Sequence, residues 1–187
     1  FAIGEKDIVA PYLEKIPRGV RVLYRCGTYP INVETCARLN YCTEKSIVEA
    51  DGDDVFPSDF YRTEFRRCFG DIHFDCIIDF SGFNSFYANL YCTQSSSRRL
   101  IWMHSVMMSE YNRMRNGKYI FRNHIDADRK LYPFYDKYVS CSHTTMLKNR
   151  GDLATPETFD RFDHAKNLID ANRIYEGVAE KRYMERG

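Results

Sequence analysis

Phe74 to Tyr111 reads FDCIIDFSGFNSFYANLYCTQSSSRRLIWMHSVMMSEY, and its reading decides the fold. It parses as a strand, a glycine loop, a helix, a polar basic turn, a second strand, and a loop carrying His104 and Ser105. Two apolar runs, Cys76-Ile77-Ile78 and Leu100-Ile101-Trp102-Met103, lack clean alternation. Such runs suit strands covered on both faces, as in a parallel sheet. Each ends in a polar, loop-prone cluster, Asp79-Phe80-Ser81-Gly82 and His104-Ser105. In open α/β sheets ligands sit outside the carboxyl ends of the strands, so these two loops are the expected place for function.

Working outward, Lys6 to Lys15 is expected to form a short helix and Ile16-Pro17-Arg18-Gly19 a turn. Val20 to Arg25 is rich in β-branched and aromatic residues and reads as a strand. Val33 to Asn40 is a candidate helix capped by Asn32. Glu49 to Asp54 reads as a solvated acidic turn, because it lacks the ligand spacing of a calcium loop. Ser58 to Phe69 is helical, with Ser58 as its cap, Phe60, Phe65, Cys68 and Phe69 along one side, and Gly70 at its end.

Beyond the opening strand, Ser85 to Thr93 is expected to be a helix, as is Asp126 to Tyr135. Tyr138 to Cys141 reads as a third buried strand, followed by a short helix opened by Ser142-His143-Thr144-Thr145. Thr155-Pro156-Glu157 is a helix start, and Phe162 to Lys166 a last, polar strand. A charged helix from Ala171 to Arg186 has a thin apolar stripe of Tyr175, Val178 and Tyr183. Strands alternating with helices imply an α/β fold: a Rossmann-like parallel sheet flanked by helices.

Composition bounds the function classes. Of 187 residues, 44% are hydrophobic and 28% charged, which argues against disorder. The net charge of +1 supplies no global field for nucleic acid, and no nucleic-acid partner is expected. No uninterrupted apolar run approaches the ~20 residues that span a bilayer. The chain opens on Phe1 without a signal-like segment and reads as a fragment lacking its natural start. The seven cysteines show no C-x-x-C spacing and are expected to be reduced, with Cys76 and Cys141 inside buried strands; no metal site and no cofactor are expected. Tyr111 to Arg122, YNRMRNGKYIFR, is basic with interleaved aromatics. It reads as a solvated loop or helix end, or as a patch meeting phosphate or an anionic membrane, where each basic residue is worth ~1 kcal/mol.

A hydrolase reading looks to Ser81 or Ser142, but a nucleophile elbow needs small residues two positions either side. Ser81 has Asp79 and Phe83 there, and Ser142 has Ser140 and Thr144, so neither fits. Neither a G-x-G-x-x-G nor a P-loop fingerprint is present. His104 is the best catalytic candidate: it follows an apolar strand, is flanked by Ser105, and can move protons near neutral pH. His73, His124 and His164 read as surface or structural, and His143, at a helix start, as a neutral donor.

The ordered landmarks Leu23-Tyr24-Arg25, Arg66 through Asp79-Phe80-Ser81-Gly82, Ile101 to Ser105, Ser109-Glu110-Tyr111, Tyr138 to Ser142 and Phe162 through Asp170 resemble bacterial glycosyltransferases of the retaining family 4 type, as in cell-surface polysaccharide and teichoic-acid-like clusters. The resemblance implies the N-terminal half of a GT-B enzyme. Residues 1–170 are then the acceptor-side domain, and 171–187 a hinge and helix leading to a donor domain outside the chain, so this chain alone is expected to be inactive. It further implies a nucleotide-sugar donor and a glycan or lipid-linked acceptor, with His104 catalytic. Gly82, Phe83, Asn84, Ser105, Ser142 and His143 are expected on the acceptor side. Arg113, Arg115, Lys118 and Arg122 are expected to give peripheral contact at the inner face of the plasma membrane, in a cytoplasmic protein. Val106 and Met108 stand where relatives often carry an acid and a base, which leaves the acceptor open. Two other readings stay beside it: a glycerophosphotransferase acting on CDP-glycerol, and a stand-alone binding domain.

Overall fold

The structure, a computed structural model, describes residues 16–23, 25, 27, 30–46, 58–94, 97–169 and 171–179. The expected helix at Lys6–Lys15, the acidic turn at Glu49–Asp54 and the end of the last helix lie outside them. The apolar runs form the expected parallel sheet: β1 (Cys76–Asp79), β2 (Arg98–Met103), β5 (Lys137–Ser140) and β6 (Phe162–His164), in the order β1-β2-β5-β6. Ile78 pairs with Leu100, Trp102 with Val139, and Ser140 with His164, so the strands end nearly level along one edge. The order runs in one direction, and right-handed connections then place the crossover helices on one face. One core cluster shows the result, joining Ile101 and Met103 of β2, Tyr138 of β5 and Phe162 of β6 to Ala88, Ile125, Leu131 and Met146 of the helices.

The helices are α1 (Val33–Lys45), α2 (Ser58–Phe69), α3 (Ser85–Cys92), α4 (Met107–Tyr111), α5 (Arg122–Leu131), α6 (His143–Leu153) and α7 (Ala171–Ala179). Asn32 caps α1 as expected, accepting from Thr35 N at 2.8 Å. Phe60 and Phe65 of α2 form a second cluster with Ile77 and Leu90. Glu64 of α2 is wholly buried and lies between Arg25, at 2.7 Å, and Arg67, at 2.8 Å. Arg25 also lies over the ring of Phe86, at 4.3 Å, so it ties its segment to α2 and α3.

Several expectations need correction. Val20–Leu23 is not a strand; it follows the turn closed by Val20 N on Pro17 O, 2.9 Å, and Tyr24 is not described. β1 is not covered on both faces among the described residues: Ile77 and Asp79 are buried, whereas Cys76 and Ile78 are exposed. Cys76 is therefore exposed and Cys141 half-buried; the described cysteines are all free thiols, and Cys42 is the buried one. Helix α5 begins at Arg122, not Asp126, and gives way at Tyr132–Phe134 to a 3-10 turn, because Pro133 has no N–H to continue an α-helix. Thr155-Pro156-Glu157 leads only to a 3-10 turn, Phe159–Arg161, before β6. The segment after α4 forms a hairpin, β3 (Met114–Arg115) with β4 (Lys118–Tyr119). Among the described residues no helix is long and apolar enough to cross a membrane.

Two acids lie in the core between β1 and α5. Asp79 is held by Tyr135 OH at 3.1 Å and by Ser81, yet burial still pushes its carboxyl above the usual range. Asp128 is fully buried with neither carboxylate oxygen hydrogen-bonded, and burial, aided by the charge of Asp79, pushes it well upward. Raised carboxyls favour the folded state below the ordinary carboxylate range and lose that contribution as pH climbs through the raised value. Asp128→Leu removes the buried charge, so its unfolding free energy should exceed the parent's by ~1–3 kcal/mol near neutral pH. The gap should narrow as pH falls through the raised value, and level off only below the ordinary aspartate range, where the parent's Asp128 is protonated in both states. Urea melts across pH measure both, and a gap independent of pH would assign the titration elsewhere.

Candidate functional site

The strand ends bring together what the sequence separates. At the end of β1, Asp79 Oδ1 accepts from Ser81 N at 3.0 Å and from Ser81 Oγ at 2.6 Å. An aspartate that bonds two residues ahead folds the chain into a local turn, and here it engages the Ser81 hydroxyl. Gly82 follows with φ +76°, and a Cβ there would stand 2.8 Å from the backbone oxygen of Trp102. Only glycine lets the β1 loop lie so close to β2. The same hypothetical Cβ is 4.0 Å from His104 Cδ2, so Gly82 and His104 are neighbours, as the sequence reading expects.

His104 is exposed just past β2, and its Nε2 lies 2.8 Å from the carbonyl oxygen of Phe80. A carbonyl only accepts, so Nε2 carries the proton, and in the neutral ring Nδ1 is the acceptor. The imidazole also stands edge-on to the Phe80 ring, at 4.5 Å, and Phe80 packs on Trp102 at 5.4 Å. Strand alternation explains this grouping. Ile101 and Met103 point to the helices, so Trp102 and His104 share the opposite face with Ile78 and Phe80. Phe80 is 50% exposed, which leaves an open aromatic surface beside the histidine.

The loop carrying His104 is held from α6. Asn149, completely buried, accepts from Met107 N at 2.8 Å and donates to Ser105 O at 3.0 Å and Ser140 Oγ at 3.3 Å. Ser105 thus meets the site through its backbone. At the end of β5, the Cys141 thiol donates to His104 O at 3.1 Å. Ser142 is the helix cap that its position implies, accepting from Thr145 N at 3.1 Å and pairing with the Thr145 hydroxyl at 2.8 Å.

Two expected acceptor-side residues are otherwise engaged. Asn84 caps α3 through Phe86 N, 3.1 Å, and the Phe83 ring packs on Phe121 at 4.6 Å. Conversely, His164, read as surface or structural, lies beside His143, with ring centres 5.1 Å apart. His124 meets Ser85 Oγ at 3.1 Å, in a structural setting. Among the described residues no three His, Cys, Asp or Glu side chains form a metal-binding group. Phe80 could have been found by extending the two-residue alternation of β1 one step past its end. Asn149 carries no local signal, since it is one polar residue inside a polar helix. Comparison with protein-family models and with curated proteins finds no match for this chain.

The clamp and the glycine set the loop geometry by different means. Asn149→Ala strips the partner from the buried Met107 N–H and from Ser105 O, and should cost ~1–3 kcal/mol in a denaturant melt. The His104 ring signals in an NMR spectrum should move with it, because the loop relaxes. A variant with unchanged stability and unchanged His104 signals would remove the clamp from the site's support.

Proposed function

We propose that this chain is the acceptor-side domain of a retaining glycosyltransferase. It moves a sugar from a nucleotide-sugar, bound by a second domain, to a cell-envelope glycan or a lipid-linked acceptor. The observation that carries this reading is the pairing of His104, with Nδ1 as its acceptor nitrogen, and the exposed Phe80 ring, at the convergence of the β1, β2 and β5 loops. Carbohydrate rings present C–H faces that lie well on aromatic rings, and hydroxyls that need a positioned hydrogen-bond partner. A platform of one aromatic and one imidazole supplies both, in the manner of sites that combine apolar surface with a few placed polar groups.

The chemistry follows from the tautomer. An acceptor hydroxyl donates to His104 Nδ1 and is thereby aimed at the anomeric carbon, while Phe80 O holds the ring from the other side. In a retaining transfer the leaving phosphate can itself take the hydroxyl proton. His104 then serves chiefly by orientation and hydrogen bonding. The thin apolar setting of Val106 and Met108 suits an acceptor with lipid character. Ser142 and Asn84 contribute by holding the helices that carry the loops, because their side chains are committed to caps.

In the intact enzyme that contains this domain, His104→Ala should lower turnover by ~10²–10⁴-fold with folding unchanged. Phe80→Ala should chiefly raise the acceptor KM, since stacking acts in the ground state as well as in the transition state. Paired melts and kinetics on the two variants measure this. Near-normal turnover of folded His104→Ala would overturn the reading, and consumption of CDP-glycerol in place of any nucleotide-sugar would reassign it to glycerophosphate transfer.

A further inference from the structure

We propose that the β3–β4 hairpin is a contact site for an anionic lipid bilayer. The chain as a whole is charge-balanced, with 27 basic and 26 acidic residues. The stretch from Tyr111 to Ile125 is not: it contains Arg113, Arg115, Lys118 and Arg122 and no acidic residue. The structure raises most of that charge on a short projection. Residues 112–120 are all exposed, Met114 pairs with Tyr119 and Arg115 with Lys118, and Asn116-Gly117 closes the turn with φ +51° and +75°. Two left-handed residues in succession make a tight hairpin turn whose twist matches its strands.

The four cations have different roles. Arg122 is sandwiched at the base, 3.3 Å from the centre of the Tyr119 ring and 4.7 Å from that of Tyr111, so it braces the hairpin. Arg113 is paired with Glu110 at 3.1 Å, and Asp126, the other nearby acid, accepts from Tyr111 OH at 3.3 Å. Arg115 and Lys118 have no ion pair among the described residues and sit side by side next to the turn. Met114 and Tyr119, paired with each other and therefore on the other face of the ribbon, are 53% and 44% exposed, and Ile120 at the hairpin's end is 38% exposed. A projecting hairpin with cations on one face and a tyrosine and a methionine on the other can enter a bilayer surface edge-on, its cations meeting phosphate groups while its apolar side chains reach the acyl boundary. A soluble polyanion would answer the charge and leave the apolar side chains in water. The hairpin follows α4 directly, so a bilayer held there lies beside the loops bearing His104. The proposal stands on charge and exposure alone and does not need the transferase reading.

The test is sedimentation of the full chain with vesicles of phosphatidylcholine, alone or with about one-third phosphatidylglycerol. Binding to the anionic vesicles only is expected, weakening as added salt shortens the range of the charge interaction. Arg115→Glu with Lys118→Glu should lower the partition coefficient by at least roughly 25-fold, from about 5-fold per lost charge. Lys148→Glu with Lys166→Glu, an equal charge change on exposed sites elsewhere, should lower it far less. Met114→Ser with Ile120→Ser should remove the binding that survives at high salt. Equal binding to both vesicles, equal loss in the two charge-reversal variants, or binding to heparin without binding to vesicles would each overturn the proposal. Circular dichroism on every variant confirms that a loss of binding is not a loss of fold.

Discussion

The candidate site depends on one buried amide. Asn149 reaches from α6 to three places at once: the backbone N–H that starts α4, the carbonyl of Ser105, and the hydroxyl of Ser140 on β5. A primary amide suits this role because it offers an acceptor and two donors in fixed geometry. Full burial makes the choice stringent, since each partner left alone would be a desolvated polar group. The effect is to pin the turn after β2 against the end of β5. His104 is then presented at a set height above the sheet edge, where the Cys141 thiol secures its carbonyl.

The sheet's two faces divide structure from function. Ile101, Met103, Tyr138 and Phe162 look toward the helices and make the core. The alternate positions make a line of Ile78, Phe80, Trp102 and His104 that stays partly open among the described residues. The one-way strand order stacks the crossover helices on a single side, which accounts for this asymmetry. The buried acids belong to the same division. Asp79 faces inward, bonds to Tyr135 and Ser81, and thereby shapes the loop whose next residues include Gly82. Its neighbour Asp128 has no such compensation, and both carboxyls are held above their ordinary range by burial. A core that tolerates two acids at that spot keeps the β1 loop ordered at some expense in stability.

Much of the architecture was legible because it rests on local rules. Apolar runs bounded by Asp79 and His104 marked β1 and β2, and Asn32 and Ser142 marked helix starts through a capping preference that acts within three residues. The hairpin after α4 carried its own signal in Asn116-Gly117, flanked by Met114-Arg115 and Lys118-Tyr119, although the basic composition of the segment pointed instead to a loop. Short apolar runs said little about which face is covered. The exposure of Cys76 and Ile78 depends on where other elements pack, which three or four residues cannot encode.

The sequence by itself determined the parallel sheet, the order of its loops, and the place of Gly82, His104 and Ser142 at strand or helix ends, because periodicity, turn chemistry and capping are short-range. Only the tertiary structure decided which of these side chains are available. The bond of Ser81 to Asp79 and the cap made by Asn84 are local, but it is the folded chain that sets Phe83 on Phe121 and leaves the Phe80 ring beside His104. It also brought His164 to His143 and Asn149 to Ser105, across 21 and 44 residues of chain. Contacts of that span form only after loop closure has been offset by core packing, so no local pattern announces them.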